Sequence, residues 1–219
     1  MSAPTTAAQE ALARLREGNR RFAAGVRSLD TMSSQAHSPD HLAGQEPFAV
    51  ILGCSDSRVP VEIIFDQGLG DLFVIRVAGN IVAPSQIGSV EFAAEQFGTR
   101  LVVVMGHTQC GAVKATLDEL RNPGGASSRN IQSIVNRIRP GVEGMLAAAG
   151  GDGDEAALAA QAVRANVRVA ADHLRHGSEV LERLIREEGL LVVGAEYSLE
   201  TGAVDFFDGV PSTRPDARR

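Results

Sequence analysis

The chain has no tryptophan and one tyrosine, and its aromatic residues together make up 4% of 219 positions. Its core must therefore be mostly aliphatic. It has only two cysteines, Cys54 and Cys110. That is too few for a disulfide scaffold, and in a reducing compartment a metal-binding or catalytic pair is favoured over a disulfide. Long apolar runs are also missing. FAVILG, RLVVVMG and LLVVGA fall far short of the roughly 20 residues that a membrane-crossing helix needs. The first 25 residues are rich in Ala and Arg and lack a continuous apolar stretch, so no secretory signal is expected. There is no positive excess either: the formal net charge is −6 and the pI about 5.4. A general nucleic-acid binder would carry a basic face. The expectation is a cytoplasmic protein with neither nucleic acid nor membrane as partner.

What is present fits one globular domain. Hydrophobic residues are 44% and charged residues 22%, which is ordinary usage. The expected division is a helical arm over 1–45, an α/β core over 46–210 and a tail over 211–219. In AAQEALARLREGNRRFAAG, Ala8, Leu12, Leu15 and Phe22 fall near helical spacing, so an amphipathic helix ends near Gly25. Val26 to Gln45 reads as an irregular arm. His37 and His41 lie in it four residues apart, but Pro39 stands between them, and solvated residues are expected.

Strands and helices then alternate. Phe48–Gly53 reads as a buried strand and Val59–Gly68 as a short helix. Asp71–Asn80 starts as a second strand. Ser85–Gly98 is a helix with Ser85 as N-cap and Gly98 as stop. Arg100–His107 is a third strand and Cys110–Arg121 a helix. Arg129–Ala149 is helical but interrupted at Pro140-Gly141, Glu155–His176 is a long helix, and Ser178 caps Glu179–Glu188. Leu190–Tyr197 is a fourth strand, paired as a hairpin with Ala203–Asp208. Continuous apolar strands with helical crossovers predict an α/β fold. Its central sheet is mainly parallel and four-stranded, with an antiparallel edge strand and helices on both faces.

In open α/β sheets, sites form beyond the carboxyl ends of strands. One strand here runs into Cys54-Ser55-Asp56-Ser57-Arg58, another into His107-Thr108-Gln109-Cys110-Gly111. If the two strands are neighbours, Cys54, His107 and Cys110 converge. Two thiolates and one imidazole suit zinc, and three protein ligands leave a fourth position open, the mark of a catalytic site. Cys110 also begins a helix, whose dipole favours a thiolate. Taken singly, a buried Cys is a small hydrophobe and a strand-end His a core residue. That both cysteines of the chain fall at equivalent strand ends favours a metal. Asp56 and Arg58, two apart in extended backbone, share one side and can form a bidentate pair. Two readings stand: a salt bridge that fixes the loop, or an acid beside a metal-bound water that Arg58 holds off the metal.

CSDSRVP together with HTQCGAVKA resembles the β-class carbonic anhydrases, and the likeness runs from GNRRFAAG to the final hairpin. The resemblance implies reversible hydration of CO2 to bicarbonate and a proton by zinc-bound hydroxide. It implies one Zn2+ per chain on Cys54, His107 and Cys110, with Asp56 and Arg58 as catalytic dyad. It also implies a homo-oligomer, dimer or tetramer, with the N-terminal helix packed on the partner and the active site at the dimer interface. Gln45, Phe73, Phe92 and the backbone N–H of Gly111 are carried over as substrate-binding positions, Gln45 and Phe73 entering from the partner. Without the resemblance, Phe73 and Phe92 read as core. Phe92 replaces a tyrosine common in plant-type members.

A bicarbonate-regulated variety of the family has a tryptophan where Ile51 stands, although Arg76 and Tyr197 occur at matching places. The open form is expected, with Asp56 on Arg58; a closed form would make Asp56 a fourth zinc ligand. Three other readings remain. One is hydrolysis of carbonyl sulfide or carbon disulfide on the same scaffold. Another is a zinc-bound module without catalysis, against which the dyad argues. The last is a Cys–His nucleophilic enzyme using His107 and Cys110.

Overall fold

The first helix, α1 (Ala7–Ala23), starts where Thr6 and Gln9 cap each other reciprocally, side chain to backbone. The structure, a computed structural model, describes residues 6–34, 44–123, 128–149 and 154–211. His37 and His41 lie outside them, as does most of the expected tail. The apolar stripe of α1 is buried through Leu12 and Leu15 under its own chain's sheet. Two residues fix the depth of that contact. A Cβ at Gly18 would lie 1.8 Å from the Phe65 carbonyl oxygen. The buried Asn19 amide donates to the carbonyls of Ile64 (3.2 Å) and Gly202 (2.9 Å) and accepts from the Val204 N–H (2.8 Å). The expected packing of α1 on a partner is thereby narrowed: its apolar stripe is covered in cis, and only its other faces are left for a second copy.

After α2 (Leu29–Ser34), the chain builds β1 (Ala49–Gly53), α3 (Val61–Ile64), β2 (Leu72–Arg76) and a 3₁₀ turn at Ala78–Asn80. Then come α4 (Pro84–Gln96), β3 (Leu101–His107), α5 (Gly111–Arg121), α6 (Arg129–Ala149), α7 (Glu155–His176), α8 (Glu179–Glu187), β4 (Leu191–Tyr197) and β5 (Val204–Asp208). The strand order is β2-β1-β3-β4-β5, with β5 antiparallel and the other pairings parallel. This is the predicted fold class. The aliphatic runs of β1 and β3 are buried throughout, as a sheet covered on both faces requires. Helices α4, α7 and α8 contribute to the core on one face, α1 and α3 on the other, and α5, α6 and α7 close over the end that carries the cysteines. Among the described residues no helix is long and apolar enough to cross a membrane.

Local expectations needed correction where packing overrode propensity. The arm contains the short α2 rather than only irregular chain. The helix after Val59 keeps just Val61–Ile64, ending before Asp66, which takes φ 47°. The second strand stops at Arg76 and turns at Gly79, which takes φ 69°. Ala83, not Ser85, is the N-cap of α4, with Pro84 in its first turn, where a missing N–H costs nothing. The interruption expected at Pro140 does not occur, and α6 runs on for 21 residues. An internal proline costs about 3 kcal/mol. Here Ile138 and Val142, both fully buried, anchor the helix on either side. Gly141 lets it meet α7 closely: a Cβ there would lie 3.2 Å from Val169 and 3.3 Å from the Ala165 backbone.

Two glycines of opposite consequence test this picture. Gly18→Ala adds a Cβ that the Phe65 carbonyl excludes, and is expected to lose about 1–3 kcal/mol despite alanine's helix preference of about 1 kcal/mol. Gly144→Ala in α6 points into open space and is expected to gain about 0.5–1 kcal/mol. Urea midpoints of the two variants against wild type check both signs.

Candidate metal centre and its surroundings

The register of the sheet creates the site. Strands β1 and β3 are neighbours, with Gly53 opposite Met105, so Cys54 and His107 emerge side by side at their carboxyl ends. This is the switch point of the strand order, where β1 is flanked by β2 and β3, and crevices open there in α/β sheets. The chain then doubles back. Gln109 takes φ 59°, and Cys110 becomes the N-cap of α5 in extended conformation. The three candidate ligand atoms of Cys54, His107 and Cys110 lie within 4.8 Å of one another, and all three residues are buried.

The hydrogen bonds around the cluster orient each group. His107 Nδ1 stands 2.8 Å from the Thr108 carbonyl. A carbonyl only accepts, so Nδ1 carries the proton and Nε2 keeps a lone pair. That Nε2 is buried and has no hydrogen-bond partner among the described residues. The left-handed turn at Gln109 is held by Glu200 from the β4–β5 connection. Its carboxylate accepts from Thr108 Oγ1 (2.9 Å), Gln109 Nε2 (2.8 Å) and Ser198 Oγ (3.0 Å). Cys54 Sγ accepts from the Gly79 N–H at 3.3 Å. Arg76 donates to the Cys54 carbonyl at 2.9 Å and also to the Asp56 carbonyl, so it props the loop backbone. Ile51 is fully buried among aliphatic residues.

Asp56 is gripped by Arg58 through Nε to Oδ1 (2.9 Å), Nη2 to Oδ2 (2.7 Å) and the Arg58 backbone N–H to Oδ1 (2.9 Å). Arg58 is half exposed, while Asp56 is mostly covered, and its Oδ2 stands 3.8 Å from His107 Nε2. The Arg58 guanidinium holds the Asp56 carboxyl well below the usual carboxylate range, against the opposing effect of burial.

The neighbouring Cys110 thiol and the Gly79 N–H outweigh burial and lower the Cys54 thiol to about 4. The neighbouring Cys54, together with burial, pushes Cys110 up. Burial disfavours charge on His107, but Cys54, the Thr108 carbonyl and Asp56 outweigh it and raise its pKa. A buried imidazole lone pair without a partner among the described residues, beside two buried cysteine sulfurs, is the donor set that a borderline-soft divalent metal satisfies.

The other predicted positions fall elsewhere in the single chain. Gln45 is exposed and lines a shallow cleft of about 460 Å³ with Gly44, Leu69 and Gly70. Phe73 on β2 meets Phe92 of α4 and Phe97, the residue that caps that helix, with ring centroids 6.2 and 6.1 Å away. It packs with the aliphatic cluster under α4, not with the one around Cys54 and Cys110. Phe92 is 52% exposed. Gly111 opens α5 beside Cys110, with open space where a side chain would stand. Sequence reasoning passed over Gly79, Thr108 and Glu200. Only the glycine just after an apolar strand could have signalled one of them.

An α/β sheet with two cysteines and a histidine buried together at its switch point, and an ion-paired acid beside them, defines a protein with a candidate three-residue metal site. The sequence profile of the family described as "Carbonic anhydrase" matches residues 49–204. Carbonic anhydrase 2 of Mycobacterium tuberculosis is 39% identical over 199 residues, covering 91% of this chain and 92% of the relative. The carbonic anhydrase of Mycolicibacterium smegmatis is 44% identical over 128 residues, covering 58% and 61%. Among solved structures, the β-carbonic anhydrase CafA of Aspergillus fumigatus superposes with a TM-score of 0.71 at 27% identity, covering 93% of this chain and 91% of that one. A structure from Sordaria macrospora, described as one of two tetrameric β-carbonic anhydrases, shares the fold with a TM-score of 0.71 at 21% identity, covering 90% and 97%. The chain belongs to the β-carbonic anhydrase family.

Proton linkage gives a direct check on the cluster. A metal must displace whatever thiol proton the two cysteines still hold, so affinity is expected to rise with pH, about tenfold per unit for each proton displaced. The slope steepens once the pH falls below the raised pKa of His107, because the imidazole then carries a further proton to be displaced. Competition against a chromophoric chelator from pH 6 to 8 measures it.

Proposed function

We propose that the chain catalyses the reversible hydration of CO2 to bicarbonate and a proton, with one zinc ion held by Cys54, His107 and Cys110. The observation that carries this reading is the convergence of those three ligand atoms within 4.8 Å of one another, with an ion-paired carboxylate 3.8 Å from His107 Nε2. Zinc in that site supplies Lewis acidity and lowers the pKa of water toward neutrality.

The chain's own groups do the rest. Arg58 keeps Asp56 ionised, so Asp56 acts as an acceptor. It takes a hydrogen bond from the attacking water and aims the oxygen lone pair, rather than storing the proton. Ile81, Val113 and Leu117, clustered with the two cysteines, offer an apolar wall that suits CO2. The product is an anion, and the N–H of Gly111 at the start of α5 suits it. Gln45 and Phe73 complete the substrate pocket from a second copy, so the active unit is a homo-oligomer, dimer or tetramer, with the site at the dimer interface. The exposed Leu69 beside Gln45 and the exposed Phe92 beside Phe73 support this side of the sheet as the meeting surface. Residues 1–219 act as one domain, the arm at 1–45 and the zinc-binding core at 46–210, and the enzyme works in the cytoplasm.

Stopped-flow CO2 hydration with a pH indicator tests the reading on zinc-loaded wild type and on Asp56→Ala. Wild type is expected to be fast, and the variant to lose about 100-fold or more in kcat/KM while keeping its zinc. A wild type that holds one zinc per chain and hydrates no CO2 would overturn the proposal, and turnover of carbonyl sulfide or carbon disulfide would then replace it.

A further inference from the structure

Asn166 is one of nine buried polar residues among the described residues, 2% exposed in the middle of α7. Its side-chain amide donates to the Gly79 carbonyl at 2.8 Å, across 87 positions of sequence. Gly79 in turn donates its N–H to Cys54 Sγ at 3.3 Å. The same glycine is therefore held at its carbonyl by Asn166 and presents its amide to a metal-ligand sulfur. Its conformation leaves little freedom. It takes φ 69°, which suits glycine, and a Cβ there would lie 2.8 Å from Ile138 and 3.0 Å from Ala112. The turn is pinned to the end of β1 as well. Val77 donates to the Gly53 carbonyl (3.1 Å), and the Val77 carbonyl accepts from the Ser55 N–H (3.3 Å).

We infer that Asn166 is a positioning residue for the metal centre, acting through Gly79 to aim an N–H···S hydrogen bond at Cys54. This rests on the zinc reading of the cluster. An N–H directed at a thiolate withdraws electron density from the sulfur. It weakens the sulfur's donation to a metal and fixes the direction of its lone pairs. With two thiolates in the ligand set, donor strength is the property that most needs restraint, and the polar neighbours of a ligand provide it. A purely structural role is the alternative, in which Asn166 only satisfies a buried carbonyl.

Cobalt(II) replaces zinc as the probe, and the thiolate-to-cobalt charge-transfer band is read in wild type, Asn166→Leu and Asn166→Asp. Neither variant keeps the amide donor. Loss of the N–H···S bond raises the sulfur donor level, so the band is expected to move to longer wavelength; cobalt affinity is expected to fall about 10- to 100-fold, because the lost orientation of the sulfur outweighs its stronger donation. Val167→Ala serves as the control. Val167 is the fully buried neighbour on the same helix, and its truncation should lower stability while leaving band and affinity unchanged. A folded Asn166 variant with the wild-type band and affinity overturns the inference, as does a Val167→Ala shift of equal size. Should neither Asn166 variant fold, wild type loaded with cadmium-113 decides. A scalar coupling between the metal and the Gly79 amide proton supports the inference, and its absence overturns it. A wild type that binds cobalt without a thiolate band sinks the zinc reading itself, and this inference with it, which separates the two failures.

Discussion

Two sulfurs, an imidazole and a carboxylate are crowded together where β1 and β3 end, and three of the four are buried. Such a set is costly without a cation: the thiols oppose each other's ionisation, the imidazole lone pair stays unpaired, and the carboxylate needs an external guanidinium. Each of these features is present. Cys54 and Cys110 are shifted in opposite directions, each by the other, His107 Nε2 has no partner among the described residues, and Arg58 grips Asp56. The rest of the architecture holds these groups close in spite of that cost. A metal converts the cost into binding energy, since each unsatisfied group becomes a ligand or a neighbour of one.

The scaffold meets this constraint with backbone rather than with more side chains. The sheet sets the distance between Cys54 and His107, because parallel strands in register leave no slack. The doubling-back at Gln109 sets the place of Cys110. A non-glycine residue at positive φ is strained, and the carboxylate of Glu200 holds the turn by binding Thr108 and Gln109 at once. On the other side, Arg76 ties down the carbonyls of Cys54 and Asp56. The site is thus gripped from β2 and from the β4–β5 connection, two elements at opposite edges of the sheet.

Glycines let the helices come near enough to matter. A Cβ at Gly106 would lie 2.7 Å from Val167, and one at Gly194 would lie 2.8 Å from the same residue. Helix α7 therefore lies directly on β3 and β4, and Asn166 reaches the turn that faces Cys54. Gly141 brings α6 against α7 in the same way. The proline next to it does not break the helix, because the hydrophobic contacts of Ile138 and Val142 exceed what the proline costs.

The sequence alone determined the order of strands and helices, the parallel character of the sheet and the identity of the chemically distinctive residues. Apolar runs of strand length can pair only as buried parallel strands when helices separate them, and Cys, His, Asp and Arg at strand ends announce chemistry by their type. Only the tertiary structure decided which of those residues meet. Strand order placed β1 beside β3, and so Cys54 beside His107, a fact that no local pattern contains. It also decided that the apolar stripe of α1 folds back on its own chain, through Gly18 and Asn19, and that Phe73 joins Phe92 rather than the cysteines. What Gly79, Glu200 and Asn166 bind was not readable in the sequence. Their roles depend on hydrogen bonds to partners 25 to 92 positions away, and such bonds have no periodicity to read.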